Sequence, residues 1–213
     1  MYRFIKICGL TNSEDARAAV LMGADILGMV MHPQSPRFCK QEQVLEISRN
    51  YYFKVRVLVF ADNPVSYAEN LLNHLDDKFT LFQIPLETEL FGWANGKFHP
   101  EKIIPVISVG IESDIQVRHK LKNFPWVIFD TGGVKNEAGE FLYGGTGQVF
   151  DWNILQNIHR KYFLAGGLNP ENIYTAISAA NAPGFDVSSG IEKYAGKKDY
   201  TKMKLFIDTV RKT

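Results

Sequence analysis

Cys8 is a candidate proton acceptor in this sequence. It ends the apolar run RFIKIC at residues 3–8 and is followed by Gly9. A thiol at the end of a strand could act as a base if its pKa were lowered. Lys6 lies on the same face of that strand because side chains alternate, and its ammonium would favour the thiolate. The alternative is a buried, inert cysteine, since free cysteine is among the most buried residue types.

Asp130 is the second candidate for acid or base chemistry. It closes the apolar run WVIFD at residues 126–130. An unpaired buried carboxylate destabilises a fold strongly, so this acid is hard to explain as a core residue. We therefore expect its side chain to face the mouth of the fold. The alternative is an N-cap or Asx turn that holds the Thr-Gly-Gly that follows.

Two short turns could bind phosphate. LAGGL at residues 164–168 and DVSSGIE at 186–192 each follow a strand-like run. Barrels often bind phosphate with backbone N–H groups of their last two loops and of a short extra helix, and glycine lets the backbone approach closely. Tight turns without a ligand are the alternative. The candidate phosphate-binding residues are Gly166, Gly167, Ser188, Ser189 and Gly190.

Three further features bear on binding. Arg37, in SPRF, could hold a ligand carboxylate with its two-pronged guanidinium, although a loop arginine is more often a solvated surface charge. Gly144 and Gly145 lie in YGGTGQ, which matches neither the ATPase loop nor the dinucleotide pattern and is predicted to be a flexible loop. The histidines and cysteines show no metal-ligand spacing, so no metal is implied.

Eight strand-like runs would position these residues. They are short, apolar or alternating, and bounded by turn formers. Helix-like stretches separate them, with start signals at Asn12 or Ser13, Asn63–Pro64, Asp151 and Asn169–Pro170. The weakest helix lies within residues 85–100, which contain two glycines and flanking prolines. The strands are predicted at residues 3–8, 24–30, 55–60, 79–84, 103–108, 126–130, 162–165 and 184–188.

This alternation predicts an α/β fold with a parallel sheet and right-handed crossovers. Eight units without a break favour a single (β/α)8 TIM barrel over residues 1–213, with an open sheet as the alternative. The 213 residues, 46% of them hydrophobic, suit one compact domain. Side chains at distant strand ends would then meet around one small ligand.

The charge balance argues against two classes of partner. The net charge is +1, from 24 basic and 23 acidic side chains, without long runs of one sign. Neither nucleic acid nor a membrane surface is therefore an expected partner. Two cysteines are too few for a disulfide framework, and the first residues lack the apolar stretch of a signal peptide, so we expect a cytoplasmic protein. No apolar segment reaches the ~20 residues that span a bilayer.

Taken together, the motifs resemble the phosphoribosylanthranilate isomerase family of tryptophan biosynthesis. The blocks KICGLT, GADILGMV with SPRF, VIFDT, GGTGQVFDW, LAGGLNPEN and DVSSGIEKYAGKKD follow that family's order from residue 6 to about 199. The resemblance implies a barrel that isomerises a small phosphoribosyl substrate, N-(5-phosphoribosyl)anthranilate, to 1-(2-carboxyphenylamino)-1-deoxyribulose 5-phosphate. This Amadori rearrangement needs no cofactor, and a monomer or a homodimer could carry it out.

The resemblance also implies the catalytic roles. Asp130 is the general acid that protonates the ring oxygen, and the Cys8 thiolate is the base that removes the C2 proton. One site then holds an acid and a base whose pKa values are adjusted by their surroundings. Asp186 matches another acidic position of the family. Because the first and eighth strands are neighbours in a closed barrel, Asp186 could pair with Lys6 and orient the substrate.

By the same resemblance, Arg37 holds the anthranilate carboxylate. The phosphate is bound by the backbone of the last two loops, at Gly167, Ser189 and Gly190. Gly144 and Gly145 close over the sugar.

The chain departs from the family pattern after the fourth strand. The family usually carries Gln-Leu-His-Gly there, whereas this chain reads Gln83, Ile84, Pro85 and Leu86. Proline has no N–H and restricts the residue before it, so one wall of the pocket is expected to differ. Two alternatives follow: a barrel isomerase of another phosphoribosyl substrate, or a catalytically impaired phosphosugar-binding relative. Retention of the acid, the base and the arginine favours the isomerase.

Overall fold

Eight parallel strands close into a barrel in the computed structural model. It describes residues 2–51, 54–75, 80–109, 121–131, 134–135, 141–142 and 149–213. Around the barrel the strands follow chain order, and the last pairs with the first. They are β1 (Phe4–Ile7), β2 (Ile26–Val30), β3 (Val55–Val59), β4 (Thr80–Pro85), β5 (Ile103–Val109), β6 (Val127–Thr131), β9 (Tyr162–Leu164) and β10 (Gly184–Val187).

Two short antiparallel pairs lie outside the barrel. One joins β7 (Val134–Lys135) to β8 (Phe141–Leu142), and the other joins β11 (Glu192–Tyr194) to β12 (Lys197–Lys198). The α-helices of the described residues are α1 (Ser13–Met22), α2 (Gln41–Asn50), α3 (Val65–Leu75), α4 (Glu89–Lys97), α5 (Ile173–Ala180) and α6 (Tyr200–Lys212). None of these helices is long and apolar enough to cross a bilayer.

The predicted TIM barrel is confirmed, and the open sheet is wrong. Every predicted barrel strand is present, with bounds that differ by no more than two residues. Seven buried side chains of alternating strand positions form a cluster inside the barrel. A larger cluster packs the outer faces of the strands against the helices. Apolar side chains fill the interior, which directs ligand binding to the carboxyl ends of the strands.

Local signals account for several helix ends. The Asn12 side chain accepts the Asp15 N–H at 2.8 Å, which starts α1 as predicted. Gly23, with φ of 105°, ends that helix in the left-handed region. The weakly predicted fourth helix is present because Thr88 caps it through the Phe91 N–H.

One helix prediction is wrong, and another helix begins later than its start signal indicated. Asp151 starts only a 3-10 helix, Trp152–Leu155, whose buried residues are three apart, the spacing at which side chains align in that helix. The Asn169 side chain accepts the N–H groups of Glu171 and Asn172 and so makes a turn. As a result α5 begins only at Ile173. The helix expected after the fifth strand falls largely on residues 110–120, outside the described residues.

Asp15 joins α1 to the end of the chain. Its buried carboxylate accepts from Lys197 Nζ at 2.6 Å, the Lys198 N–H at 2.9 Å and the Tyr200 hydroxyl at 3.0 Å. Burial alone would raise the pKa of Asp15, but these hydrogen bonds outweigh burial and lower it. The carboxylate therefore holds the β11–β12 hairpin against the barrel.

We predict that Asp15→Ala lowers the free energy of unfolding by about 3 kcal/mol, because it leaves buried donors without an acceptor. Glu14→Ala is the matched control. Glu14 also contacts Lys197, at 3.0 Å, but it is exposed, so the change should stay within about 0.5 kcal/mol. Urea denaturation of both variants measures the difference. Equal effects would contradict the role given to Asp15.

Candidate active site

One cavity opens at the carboxyl ends of the barrel strands, with a volume of about 170 Å³. Most of the predicted site residues line it, although they are spread along the whole chain. A closed barrel explains this, because it brings the ends of all its strands to one rim. The lining includes Cys8, Arg37, Asp130, Gly166, Gly167, Asp186, Ser188 and Ser189.

Two predictions fall on Gly144 and Gly145, which lie outside the described residues. Within the part of the chain that the structure describes, no cluster of three His, Cys, Asp or Glu side chains could hold a metal ion.

Lys6 and Asp186 form a buried ion pair beside Cys8. They are register partners on β1 and β10, and Lys6 Nζ donates to Asp186 Oδ2 at 2.8 Å. The predicted contact between the first and eighth strands of the barrel, β1 and β10, is therefore confirmed. A buried lysine requires such a partner, since an uncompensated charge in the interior is costly.

Gly28 leaves room for this group, and the sequence analysis missed it. A Cβ atom there would lie 3.0 Å from Cys8 Sγ and 3.0 Å from Lys6 Nζ. The sulfur and the ammonium thus meet over the glycine of the neighbouring strand β2. A glycine that interrupts an apolar strand, as in ILGMV, is the signal that could have indicated the close approach.

The ionisation of Cys8 depends on its neighbours. Burial raises the pKa of the Cys8 thiol, the Lys6 ammonium opposes the rise, and the Asp186 carboxylate adds to it. Burial also disfavours the Lys6 cation, but Asp186 and Cys8 outweigh burial and raise the pKa of Lys6. Burial therefore favours the neutral thiol, whereas the lysine stabilises any thiolate formed here.

The surroundings of Asp130 favour the protonated form of its carboxyl. Burial raises its pKa to about 7, and Asp186 adds to the rise, while Lys6 and the Thr131 N–H oppose it. Much of this carboxyl is therefore protonated near neutral pH. Gly166 leaves room for the Asp130 carboxyl, because a Cβ atom at residue 166 would lie 2.7 Å from Asp130 Oδ1.

The loops after β9 and β10 contact each other. A Cβ at Gly190 would lie 1.9 Å from the Leu168 carbonyl oxygen, so only glycine fits there. The expected short extra helix after the eighth strand is a 3-10 helix, Ser189–Ile191. Asn172 Nδ2 donates to the Gly167 carbonyl at 2.9 Å and anchors the first of the two loops. The two glycine-rich loops therefore form one continuous wall of the cavity.

Arg37 is not a solvated surface charge. It is half-buried, lines the cavity and contacts Glu192 through both Nε and Nη2. Gln83 and Thr131 also line the cavity, and the sequence analysis gave neither a role. Gln83 lies near the end of the apolar strand β4, and Thr131 follows Asp130 at the end of β6. Polar residues at such positions are the signal that could have marked both.

Some polar atoms in the cavity wall are available to a ligand. Among the described residues, Gln83 Oε1, Thr131 Oγ1 and Asp186 Oδ1 are buried without a hydrogen-bond partner. Buried polar atoms are nearly always hydrogen-bonded in the functional state, so these atoms favour a ligand rich in hydroxyl or amine groups. Pro85, at the point where the sequence departs from the family pattern, lines the same cavity.

Comparison with known proteins agrees with this geometry. The model of the family described as N-(5′-phosphoribosyl)anthranilate (PRA) isomerase matches residues 5–209. The PRA isomerase of Aquifex aeolicus is 36% identical over 209 residues, which cover 95% of this chain and 96% of the relative. The chain belongs to the PRA isomerase family. The family resemblance inferred from the motifs is thus confirmed, and the chain is an isomerase of tryptophan biosynthesis.

Solved structures of PRA isomerases share the fold. The enzyme from Thermotoga maritima superposes with a TM-score of 0.82 at 33% identity, over 100% of both chains. A PRA isomerase in complex with reduced 1-(o-carboxyphenylamino)-1-deoxyribulose 5-phosphate gives a TM-score of 0.79 at 30% identity, again over 100% of both chains.

We predict that Asp130→Asn stabilises the protein increasingly as the pH rises. The folded state raises the pKa of Asp130 from 3.8 to about 7, so ionisation destabilises it progressively between these values. The gain of the variant over the wild type should grow by about 2–3 kcal/mol from about pH 5 to about pH 8. Urea denaturation at several pH values measures it, with the change Glu46→Gln at an exposed acid of α2 as control. A gain that does not change with pH would contradict the assignment.

Proposed function

We propose that this chain converts N-(5-phosphoribosyl)anthranilate to 1-(2-carboxyphenylamino)-1-deoxyribulose 5-phosphate by acid and base catalysis. One observation carries the proposal: Cys8 and Asp130 line the same cavity as the loops at Gly167 and Ser189. A sugar phosphate anchored at those loops would extend between an acid and a thiol. Membership of the PRA isomerase family supports the choice of substrate.

Asp130 supplies the first proton. Its raised pKa of about 7 keeps much of the carboxyl protonated near neutral pH. The proton goes to the ribose ring oxygen as the bond from that oxygen to C1 breaks, and the nitrogen lone pair forms the C1–N double bond. The product of this step is an open-chain iminium ion, and Asp130 is left as a carboxylate. A group with a pKa near the working pH is well suited to such a transfer.

Cys8 takes the second proton. The thiol first gives its own proton to water, and the resulting thiolate then removes the proton from C2. The electrons of the C–H bond form a C1–C2 double bond and neutralise the iminium nitrogen. Tautomerisation of the resulting enolamine gives the ketose. Lys6 makes the step possible, because its ammonium stabilises the thiolate that burial disfavours. We assign Asp186 to hold Lys6 and, through Oδ1, to orient a substrate hydroxyl.

Binding groups complete the assignment. Arg37 holds the anthranilate carboxylate in a charge-assisted contact. The backbone of Gly167, Ser189 and Gly190 binds the phosphate, since glycine allows close approach to phosphate oxygens. Gly144 and Gly145 remain assigned to closure over the sugar.

The proposal requires one (β/α)8 domain over residues 1–213, and neither a cofactor nor nucleic acid. We place the enzyme in the cytoplasm, as a monomer or a homodimer. The two alternatives drawn from the sequence explain the cavity less well. A binding protein without turnover needs no acid whose pKa is raised to about 7, and another sugar phosphate need not carry a carboxylate for Arg37.

A fluorescence assay tests the activity directly. N-(5-phosphoribosyl)anthranilate is made in place by a transferase from anthranilate and phosphoribosyl pyrophosphate, and its fluorescence is followed as the purified protein is added. We expect the signal to decline in proportion to the amount of protein. A constant signal would overturn the proposed function.

Two variants test the roles of the acid and the base. Cys8→Ala and Asp130→Asn should each lower kcat by at least about 10²-fold, the contribution of a positioned acid or base. Cys39→Ala is the matched control, because Cys39 is a free, buried cysteine that does not line the cavity. It should keep kcat close to that of the wild type. A catalytic variant with a near-normal rate would show that its residue has a different role.

A further inference from the structure

We propose that Glu192 and Lys198 are positioning residues that turn Arg37 into a binding site for an aromatic carboxylate. Glu192 fixes the guanidinium, and Lys198 offsets the charge of the glutamate. Neither residue lines the cavity, so both act through Arg37. The inference rests on the proposed function and extends it to the part of the site that selects the substrate.

Glu192 fixes Arg37 by a two-pronged contact. Arg37 Nε donates to both carboxylate oxygens, at 3.0 and 3.1 Å, and Nη2 donates to Oε2 at 2.9 Å. Paired contacts of this kind set the plane of a guanidinium as well as its position. With Nε and one side of Nη2 engaged, the Nη1 end of Arg37 is the part left to contact a ligand in the cavity.

The negative charge of Glu192 would weaken the attraction of Arg37 for a ligand carboxylate, and Lys198 offsets that charge. An arginine paired only with a carboxylate forms a neutral group, which attracts a second carboxylate weakly. Lys198 is fully buried and donates to Glu192 Oε1 at 2.9 Å. Two cations around one anion leave a net positive charge, which an incoming carboxylate can neutralise.

The contact with Glu192 favours the ammonium form of Lys198. Burial lowers the pKa of Lys198 and the Arg37 cation adds to the fall, while the adjacent Glu192 carboxylate opposes it. The buried glutamate needs a charged partner, and the buried lysine needs it equally. Lys202 approaches only the backbone carbonyl of Glu192, at 3.3 Å.

Lys198 also connects the two ends of the substrate site. Its ammonium donates to the Ser188 carbonyl at 3.2 Å, in the turn that leads to the phosphate loop. Its backbone N–H is held by Asp15 at 2.9 Å. The same lysine therefore sets the place of Arg37 relative to the phosphate loop, which fixes the length of ligand that can reach both.

The test compares two stable ligands. One is the reduced 1-(o-carboxyphenylamino)-1-deoxyribulose 5-phosphate, and the other is the same compound without its carboxylate. The ratio of their Kd values, from calorimetry, gives the carboxylate preference. Lys198→Met should lower this preference about tenfold, the typical effect of a hydrogen bond to a charged group. The Kd of the compound without the carboxylate should change by less than about threefold. Lys193→Met, an exposed change in the same hairpin, should alter neither value.

The double variant Glu192→Gln/Lys198→Met separates charge from mere structure. It removes one negative and one positive charge with little change in volume. The group of residues 37, 192 and 198 then has the net positive charge of the wild type, which Lys198→Met alone lacks. We expect its carboxylate preference to exceed that of Lys198→Met. If Lys198→Met does not fold, the single variant Glu192→Gln is compared with the double variant instead. Glu192→Gln keeps Lys198 and so carries one more positive charge than the double variant. It should therefore show the higher carboxylate preference.

Two results would overturn the inference while leaving the proposed function intact. In one, Lys198→Met weakens both ligands equally, as expected for a purely structural residue. In the other, the double variant has a lower preference than Lys198→Met. A wild-type protein that bound neither ligand and did not consume N-(5-phosphoribosyl)anthranilate would instead overturn the proposed function.

Discussion

A lysine and a carboxylate meet inside the barrel where its first and last strands join. Lys6 on β1 and Asp186 on β10 are register partners with their charged groups 2.8 Å apart. A lysine at this buried position is tolerable only if that partner is present, and the partner is present only if the barrel closes. Closure of the barrel and assembly of the site therefore both depend on the pairing of these two strands. An open sheet of the same strands, without the β1–β10 pairing, would separate the two charges.

The ion pair also acts on the two groups to which we assign the proton transfers. The Asp186 carboxylate raises the pKa of both Cys8 and Asp130, and the Lys6 ammonium lowers both. Burial is the largest cause in each case: it favours the neutral thiol of Cys8 and raises the pKa of Asp130 to about 7. A proton donor is therefore ready, whereas the base depends on the lysine for its ionisation. These shifts are consistent with the proposed order, in which the acid acts first.

Local patterns were sufficient where the physical cause is local. Alternating apolar residues set the strands, and the Asn12 side chain starts α1 through a hydrogen bond within one turn. The same reasoning failed after Asp151, because a start signal does not determine how many turns the barrel has room for. It also missed Glu192 and Lys198. A glutamate 155 residues from its arginine carries no local sign of that contact.

The amino-acid sequence by itself determined the number and order of the strands and the chemistry available at their ends. Periodicity, turn residues and the types of the terminal side chains are properties of short segments. Only the tertiary structure decided which charges pair, how the pKa values of Cys8 and Asp130 shift, and how Arg37 is held. These depend on distances between strands far apart in the chain and on exclusion of water, and both exist only after the barrel has closed.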